Sequence, residues 1–276
     1  MANGFVPISV NWHVWPKCNY SCKFCYATFK DRIEPLCKES AIQVPQLLSD
    51  AGASKLTFAG GEPLLCPHLG ELLYASKEAG LTTMIVTNGS LINKEFLGRW
   101  HESIDWVAIS IDSPHESTEI ALCRGTGKHV AKAVESARLV RAYGIKLKVN
   151  VVVTSLNFRD DMSEIIGWLR PERLKFFQVL QIHGENDLYY KSLAITKPQF
   201  EEFVRRHIDL DPISEDNDAM EGSYLMLDPI ARFFQNFHKK YAYSDSILRI
   251  GVVKALKQVG WDKQKFQKRG GEYVWK

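Results

Sequence analysis

The chain has 276 residues, 45% of them hydrophobic, with 35 basic and 32 acidic side chains and a formal net charge of +3. That length and apolar content suit one large α/β domain, or at most two small ones, with a full core. The charge is too small for a nucleic-acid surface, although it leaves room for a basic pocket that takes a small anion. Neither a signal-type N-terminus nor a run of about 18 apolar residues is present, so the expectation is a soluble, cytoplasmic protein without a membrane segment.

Strand-like runs at 8-ISVNWHV-14, 55-KLTFAG-60, 82-TTMIVTN-88, 105-DWVAIS-110, 145-IKLKVNVVV-153 and 173-RLKFFQVLQI-182 alternate with amphipathic stretches near 39–51, 68–79, 93–101, 129–143 and 160–169. Alternation of this kind predicts βα units and a mostly parallel sheet, and six units fit an open barrel. Gly52, Gly80 and Gly144 stand where helices end. Beyond residue 183 the pattern changes to a helix near 197–208, an acidic loop 211-DPISEDND-218, the run 223-SYLMLDPIARFF-234 and a last helix near 248–260. The expected division is therefore a barrel over 1–183 and a C-terminal extension over 184–276 that caps it.

Three of the six cysteines, Cys18, Cys22 and Cys25, are crowded into one loop after the first strand, which favours metal ligation over a disulfide framework. A protein-held [4Fe–4S] cluster takes four thiolates, and Cys37, Cys66 and Cys123 are too scattered to supply the fourth. Three ligands leave one iron open to a reactant, as in a catalytic zinc site. Spacing alone also admits zinc or a coincidence. Tyr20, Phe24 and Tyr26 surround the triplet, placed either to pack on an adenine or to fill core.

The second strand ends in Gly60, Gly61, Glu62 and Pro63, a turn that permits close backbone approach but is common by itself. Polar clusters 87-TNGS-90 and 110-SIDS-113 close the third and fourth strands, at the end where barrels place chemistry. Arg124 lies in a Gly-flanked loop, suited to a carboxylate or to plain solvation. Lys55 and Thr57, Lys148 and Asn150, and Arg173 and Lys175 each stand two apart, so each pair shares one strand face. Inward cations require a balancing anion, for which phosphate is the natural candidate; the alternative is strand-end side chains that reach water.

Cys-x3-Cys-x2-Cys with an aromatic before its last cysteine resembles the radical S-adenosylmethionine (SAM) superfamily motif. Taken with 8-ISVNWHVWPKCNYSCKFCYATF-29, 58-FAGGEPLL-65, 173-RLKFFQVLQIHGEN-186, 223-SYLMLD-228, 246-SILRIGV-252 and 268-KRGGEYVWK-276, the chain resembles the viperin family over nearly its whole length. The resemblance implies a TIM-like partial (βα)6 barrel with a C-terminal α/β cap, a [4Fe–4S] cluster on the three cysteines, and SAM chelated at the open iron. It implies conversion of a ribonucleoside triphosphate, CTP ahead of UTP or GTP, to its 3′-deoxy-3′,4′-didehydro analogue, a chain terminator of viral RNA synthesis. Also expected are Mg2+ accompanying the nucleotide, a low-potential electron donor of flavodoxin or ferredoxin type, no direct nucleic-acid partner, no membrane contact by this chain and a monomeric state.

By the same resemblance Phe24, Tyr26, Gly60, Gly61, Glu62, Pro63, Asn88, Ser110 and Arg124 serve SAM. Lys55, Lys148, Arg173, Lys175 and Arg269 surround the triphosphate, and Asn11, His13 and Asn150 lie near the ribose. Tyr224 matches a tyrosine thought to return hydrogen to the product, with cap packing as the alternative. Three positions depart from the animal pattern: Thr57 and Ala59 replace polar residues, and Asp245 stands in place of a lysine, which leaves Lys239 or Lys240 as the neighbouring substitute. Animal members begin with an amphipathic membrane helix, whereas this sequence starts almost directly at the first strand; a microbial member that never had the helix is expected, with a trimmed sequence as the alternative. A radical SAM peptide or cofactor modifier is disfavoured because no cysteine follows Cys123. A non-catalytic binding protein on the same scaffold is the third alternative.

Overall fold

A computed structural model describes residues 9–29 and 34–273. Six strands, β1 (Ser9–Trp15), β2 (Lys55–Gly60), β3 (Thr82–Thr87), β4 (Trp106–Ser110), β5 (Lys146–Val153) and β6 (Arg173–Gln178), pair in sequence order and in parallel. This is the partial barrel that the alternation predicts. The C-terminal segment adds β7 (Ile213–Glu215) in parallel beside β6, and β8 (Met226–Leu227) in parallel beside β1. Then β9 (Arg232–Phe237) and β10 (Lys240–Ser246) extend that edge antiparallel, giving one ten-stranded sheet. No described helix is long and apolar enough to cross a membrane.

Buried parallel strands usually read as continuous apolar runs, but here each strand is two-faced. Val10, Trp12 and Val14 of β1, Leu56 and Phe58 of β2, Leu147, Val149 and Val151 of β5, and Leu174 and Phe176 of β6 belong to the main apolar core beneath the helices. The alternate positions, Asn11, His13, Lys55, Thr57, Lys148, Asn150, Arg173 and Lys175, therefore face the other way, into the lumen. The period of two is what separates an apolar layer from a polar cavity in the same strands. Phe176 meets Phe203 of the helix Lys197–Arg206 edge-on at 5.0 Å, closing the apolar layer under β6.

Several boundaries differ from expectation for local reasons. The helix expected over 39–51 is two pieces, Lys38–Ala41 and Val44–Asp50, the second opening on Pro45. The strand expected through residue 182 stops at Gln178, because Asn186 bonds the backbone at Leu180 and Ile182 and folds that stretch into a loop. The last helix breaks at Gly251 into Ile247–Ile250 and Val252–Val259. The acidic 211–218 segment is not simply a loop, since Ile213–Glu215 forms β7 and Asn217–Met220 a short helix. The β9–β10 hairpin turns through His238 and Lys239, both at positive φ, the geometry of a two-residue turn without the usual Gly or Asn signal.

Phe203→Ala is expected to lower unfolding free energy by about 3–5 kcal/mol, read from the denaturant midpoint, because a fully buried ring leaves a cavity under β6. A loss below about 1 kcal/mol would mean that the helix repacks freely onto the sheet.

Candidate functional site

The cysteine loop leaves the C-terminal end of β1 and is held by its neighbours through backbone bonds. Gly61 N–H donates to Trp15 O at 2.7 Å and Glu62 N–H to Lys17 O at 2.9 Å, so the glycine turn interlocks with the thiol loop. A Cβ on Gly61 would lie 2.3 Å from Lys17 O, which makes glycine obligatory there. Glu62 is fully buried, and its carboxylate accepts from Leu64 N–H, Thr87 Oγ1 and Asn88 N–H. It therefore stitches the end of β2 to the end of β3; burial still lifts its carboxyl to about 7. Asn88 Nδ2 donates to Asn19 at 2.9 Å and lies 4.0 Å from Cys18 Sγ.

Cys18, Cys22 and Cys25 are free thiols, and burial pushes Cys22 up to about 12 and Cys25 up to about 11. Thiols so protonated stay unreactive until a metal displaces their protons. Among the described residues no three His, Cys, Asp or Glu side chains converge on a single ion. Three free thiols on a loop locked to a glycine turn fit a cluster with SAM beside it.

The wall next to this loop is built on Arg124. Its Nε donates to Asp112 at 2.6 Å and lies 3.7 Å from Glu119, and its guanidinium sits 5.2 Å above the Phe24 ring. Arg124 is thus buried and anchored by two carboxylates, not solvated. Burial works against its charge, but Asp112, Cys22 and Glu119 preserve it. Burial and then Asp112 push Glu119 up to about 8. Both carboxylate contacts are made through Nε. Ser110 ends β4, and its carbonyl accepts from the His129 ring at 2.9 Å. Tyr20 packs edge-on to that ring at 5.5 Å, so an unanticipated histidine braces the cysteine loop against the end of β4.

The lumen holds the second half of the site. Lys55, Lys175 and Arg269 are buried, and Lys148 and Arg173 are partly so. Lys175 ion-pairs with Glu215, and Arg269 approaches the same carboxylate at 3.2 Å. Among the described residues, Lys175 and Arg269 thus share one carboxylate, Glu215. It lies in the segment expected to be an acidic loop, and its partners become visible only once β7 pairs with β6. Burial works against its charge, yet Lys175 and Arg269 hold its carboxyl down at about 2.

Lys55 donates to the Tyr273 hydroxyl, and Arg173 stacks 3.7 Å from the Tyr273 ring centre while its Nη2 donates to Gly270 O at 2.6 Å. Tyr273 was not singled out in sequence; its neighbours Gly270 and Gly271 were the only signal that the tail turns sharply inward. Burial, then Arg173 and Lys175, lower Lys55 to about 7, and burial lowers Lys148 well below the usual lysine range. No hydrogen bond or ion pair among the described residues engages Lys148, and Nε of both Arg173 and Arg269 is buried without a partner.

His13 is buried in an aromatic cage, edge-on to Phe29 and Phe234 at 5.3 Å each and to Tyr26 at 6.1 Å. Burial lowers it to about 3, so it is a neutral imidazole, and its Nδ1 has no partner. Asn150 Oδ1 is likewise buried and unbonded, directly opposite Lys175 in the β5–β6 register. Asn11 lies on β1 next to Thr57 of β2, on the same face. Tyr224 donates its hydroxyl to Glu215 and lies under the Arg269 guanidinium at 3.6 Å, so it joins the cation set instead of standing alone in the cap. Asp245 pairs with Arg249 and Gln258 on the outside, and Lys239 bonds Gln181 from the exposed hairpin turn beside Lys240. Neither lysine replaces the missing cation, because the hairpin turn points to solvent.

Gly61→Ala is expected to displace the cysteine loop and cut the iron and sulfide bound after anaerobic reconstitution by more than half. Gly167→Ala, at a helical site with nothing within 4 Å, serves as the control. Equal iron in both variants would show that the interlock does not hold the loop.

The family model of the radical SAM superfamily matches residues 12–169. An S-adenosylmethionine-dependent nucleotide dehydratase of Flammeovirga pacifica is 41% identical over 99% of this chain and 98% of its own length. One from Lacinutrix mariniflava is 42% identical over 97% of this chain and 58% of its own length. The S-adenosylmethionine-dependent nucleotide dehydratase RSAD2 of Danio rerio is 38% identical over 98% and 78%. Among solved structures, anSMEcpe with bound AdoMet superposes with a TM-score of 0.72 over 92% of this chain and 81% of that one, at 16% identity. Streptococcus suis SuiB bound to S-adenosylmethionine gives 0.68 over 97% and 69%, at 15% identity, a likeness of fold. The chain therefore belongs to the radical SAM superfamily and, within it, to the viperin family of S-adenosylmethionine-dependent nucleotide dehydratases.

Proposed function

We propose that this enzyme removes water from the ribose of a ribonucleoside triphosphate, CTP ahead of UTP or GTP, to give the 3′-deoxy-3′,4′-didehydro nucleotide. The observation that carries the triphosphate is the lumen: Lys175 and Arg269 share one carboxylate, Lys148 beside them has no hydrogen bond or ion pair among the described residues, and the Nε groups of Arg173 and Arg269 are buried and unbonded. Buried unmatched cations are costly, and a polyphosphate supplies both the charge and the acceptor oxygens that this lumen lacks.

When bound, the cluster and SAM supply one electron and a carbon-centred radical that takes a hydrogen atom from an unactivated carbon. Cys18, Cys22 and Cys25 would hold the cluster. The Gly60–Gly61–Pro63 turn would receive the SAM amino group, Glu62 and Asn88 keeping that turn in place. Arg124 would offer its free amines, with Ser110, to the SAM carboxylate, and Phe24 and Tyr26 would flank the adenine.

On the substrate side, Lys55, Lys148, Arg173, Lys175 and Arg269 bind the triphosphate and, with Mg2+, fix the nucleotide's depth in the barrel. Asn11, His13 and Asn150 then meet the ribose, His13 as a neutral hydrogen-bonding group. The 3′ hydroxyl leaves as water, which needs one proton. Completion of the product also takes one electron, which with that proton amounts to the hydrogen atom that Tyr224 would return, the protein electron donor then restoring the tyrosine. The reading extends to a monomer in the cytoplasm, reduced by a flavodoxin or ferredoxin type protein, with residues 1–183 forming the barrel and 184–276 the cap.

The test is anaerobic reconstitution followed by SAM, dithionite and each ribonucleotide in turn. The expected result is 5′-deoxyadenosine together with a nucleotide lighter by one water. The reading fails if no triphosphate stimulates 5′-deoxyadenosine formation.

Lys148→Met gives a second check. Removing a buried cation that no hydrogen bond or ion pair engages is expected to raise the melting temperature of the empty protein by about 2–4 °C, while abolishing most of its stabilisation by a nucleoside triphosphate. An unchanged response to the nucleotide would remove Lys148 from the binding set.

A further inference from the structure

Beside Lys175 and Arg269, the position that a phosphate chain needs is held by a side chain of the protein itself. Glu215 is fully buried on β7, ion-paired to Lys175, 3.2 Å from Arg269 and accepting the Tyr224 hydroxyl. One carboxylate leaves donors over: Nε of Arg269 and Nε of Arg173 are buried without partners, and Lys148 is engaged by no hydrogen bond or ion pair among the described residues. A polyphosphate has more charge and more acceptor oxygens than a carboxylate, so it outcompetes Glu215 for the same cations. Both anions against one pair of cations in a buried lumen would repel each other.

We propose that Glu215 is a resident counter-anion that the substrate's polyphosphate displaces from Lys175 and Arg269, which makes the site select a long anionic chain over a single phosphate. The proposal rests on the triphosphate reading above. A single phosphate is served by Lys55, Lys148 and Arg173 without disturbing Glu215. A longer chain reaches Lys175 and Arg269 and must break the Glu215 pairs, regaining the cost through the extra cations. Because Arg269 stacks on Tyr224 and Glu215 holds the Tyr224 hydroxyl, the exchange also changes the surroundings of that tyrosine only when a chain of full length is bound. Glu215 is thus a positioning and selectivity residue.

The test titrates inorganic tripolyphosphate and orthophosphate by calorimetry into cluster-reconstituted wild type, Glu215→Gln and Glu215→Asp, without SAM or reductant. Tripolyphosphate is expected to bind Glu215→Gln on the order of tenfold more tightly than wild type, with orthophosphate little changed. Glu215→Asp, which draws the charge back by one methylene, is expected to give part of the same gain and stands in if the amide variant does not fold. An equal gain for both anions is what a merely neighbouring charge would give, and it overturns displacement. So does weaker binding of tripolyphosphate to Glu215→Gln, which would mean that the carboxylate arranges the cations for the substrate. So does an unchanged affinity in both variants. Failure of tripolyphosphate to bind wild type is a different result, and it refutes the triphosphate reading itself.

Discussion

The contact between Glu215 and the lumen cations is the constraint on which the site depends. A parallel sheet normally buries both faces in hydrocarbon, and here one face carries lysines and arginines instead. Such a lumen is stable only with anions, since the desolvation of each ion costs several kcal/mol. The protein provides Glu215 through β7 to Lys175 and Arg269, and aromatic faces through Tyr224 and Tyr273. The donors left over, Lys148 and the Nε groups of Arg173 and Arg269, are the ones that the proposed polyphosphate would engage.

The other end of the strands solves a related problem differently. Arg124 is buried too, but it is matched by Asp112 and Glu119, and those acids in turn accept backbone N–H groups from Val152, Asp112 and Ser113. That network is balanced and therefore rigid, as the seat of a cofactor should be. The lumen leaves the Nε groups of Arg173 and Arg269 unbonded, and the proposed substrate would complete it. The cofactor seat stands at the C-terminal ends of the strands and the cations on their inner faces nearer the N-terminal ends, so the backbone hydrogen bonds of one sheet fix the distance between the two.

Much of this was legible in the sequence because it follows from short-range rules. The cysteine spacing, the glycine turn and the two-residue pairing of cations with polar residues each need only local geometry, and Lys55, Lys148 and Lys175 lie on the face that alternation assigns them. Glu215 was hidden because a three-residue strand among acidic residues has no periodic signal, and its charge looks solvated until β7 docks on β6. His129 and Tyr273 were hidden for a similar reason: each acts on residues more than fifteen positions away, Tyr273 on Lys55 across the whole chain. The β9–β10 hairpin escaped notice because His238 and Lys239 adopt positive φ without glycine.

The most direct measurement of the central claim is the number of protons taken up when a nucleoside triphosphate binds. Burial and neighbouring cations lower Lys55 to about 7 and Lys175 to about 8, so at about pH 8 the empty lumen is partly discharged while the triphosphate is already ionised. A bound polyanion raises both lysines again, so the complex gathers protons from solution and affinity falls as pH rises above about 7. Calorimetry of the wild-type protein at that pH, in buffers of different ionisation enthalpy, is expected to show net proton uptake. Zero uptake, or release, would contradict the account.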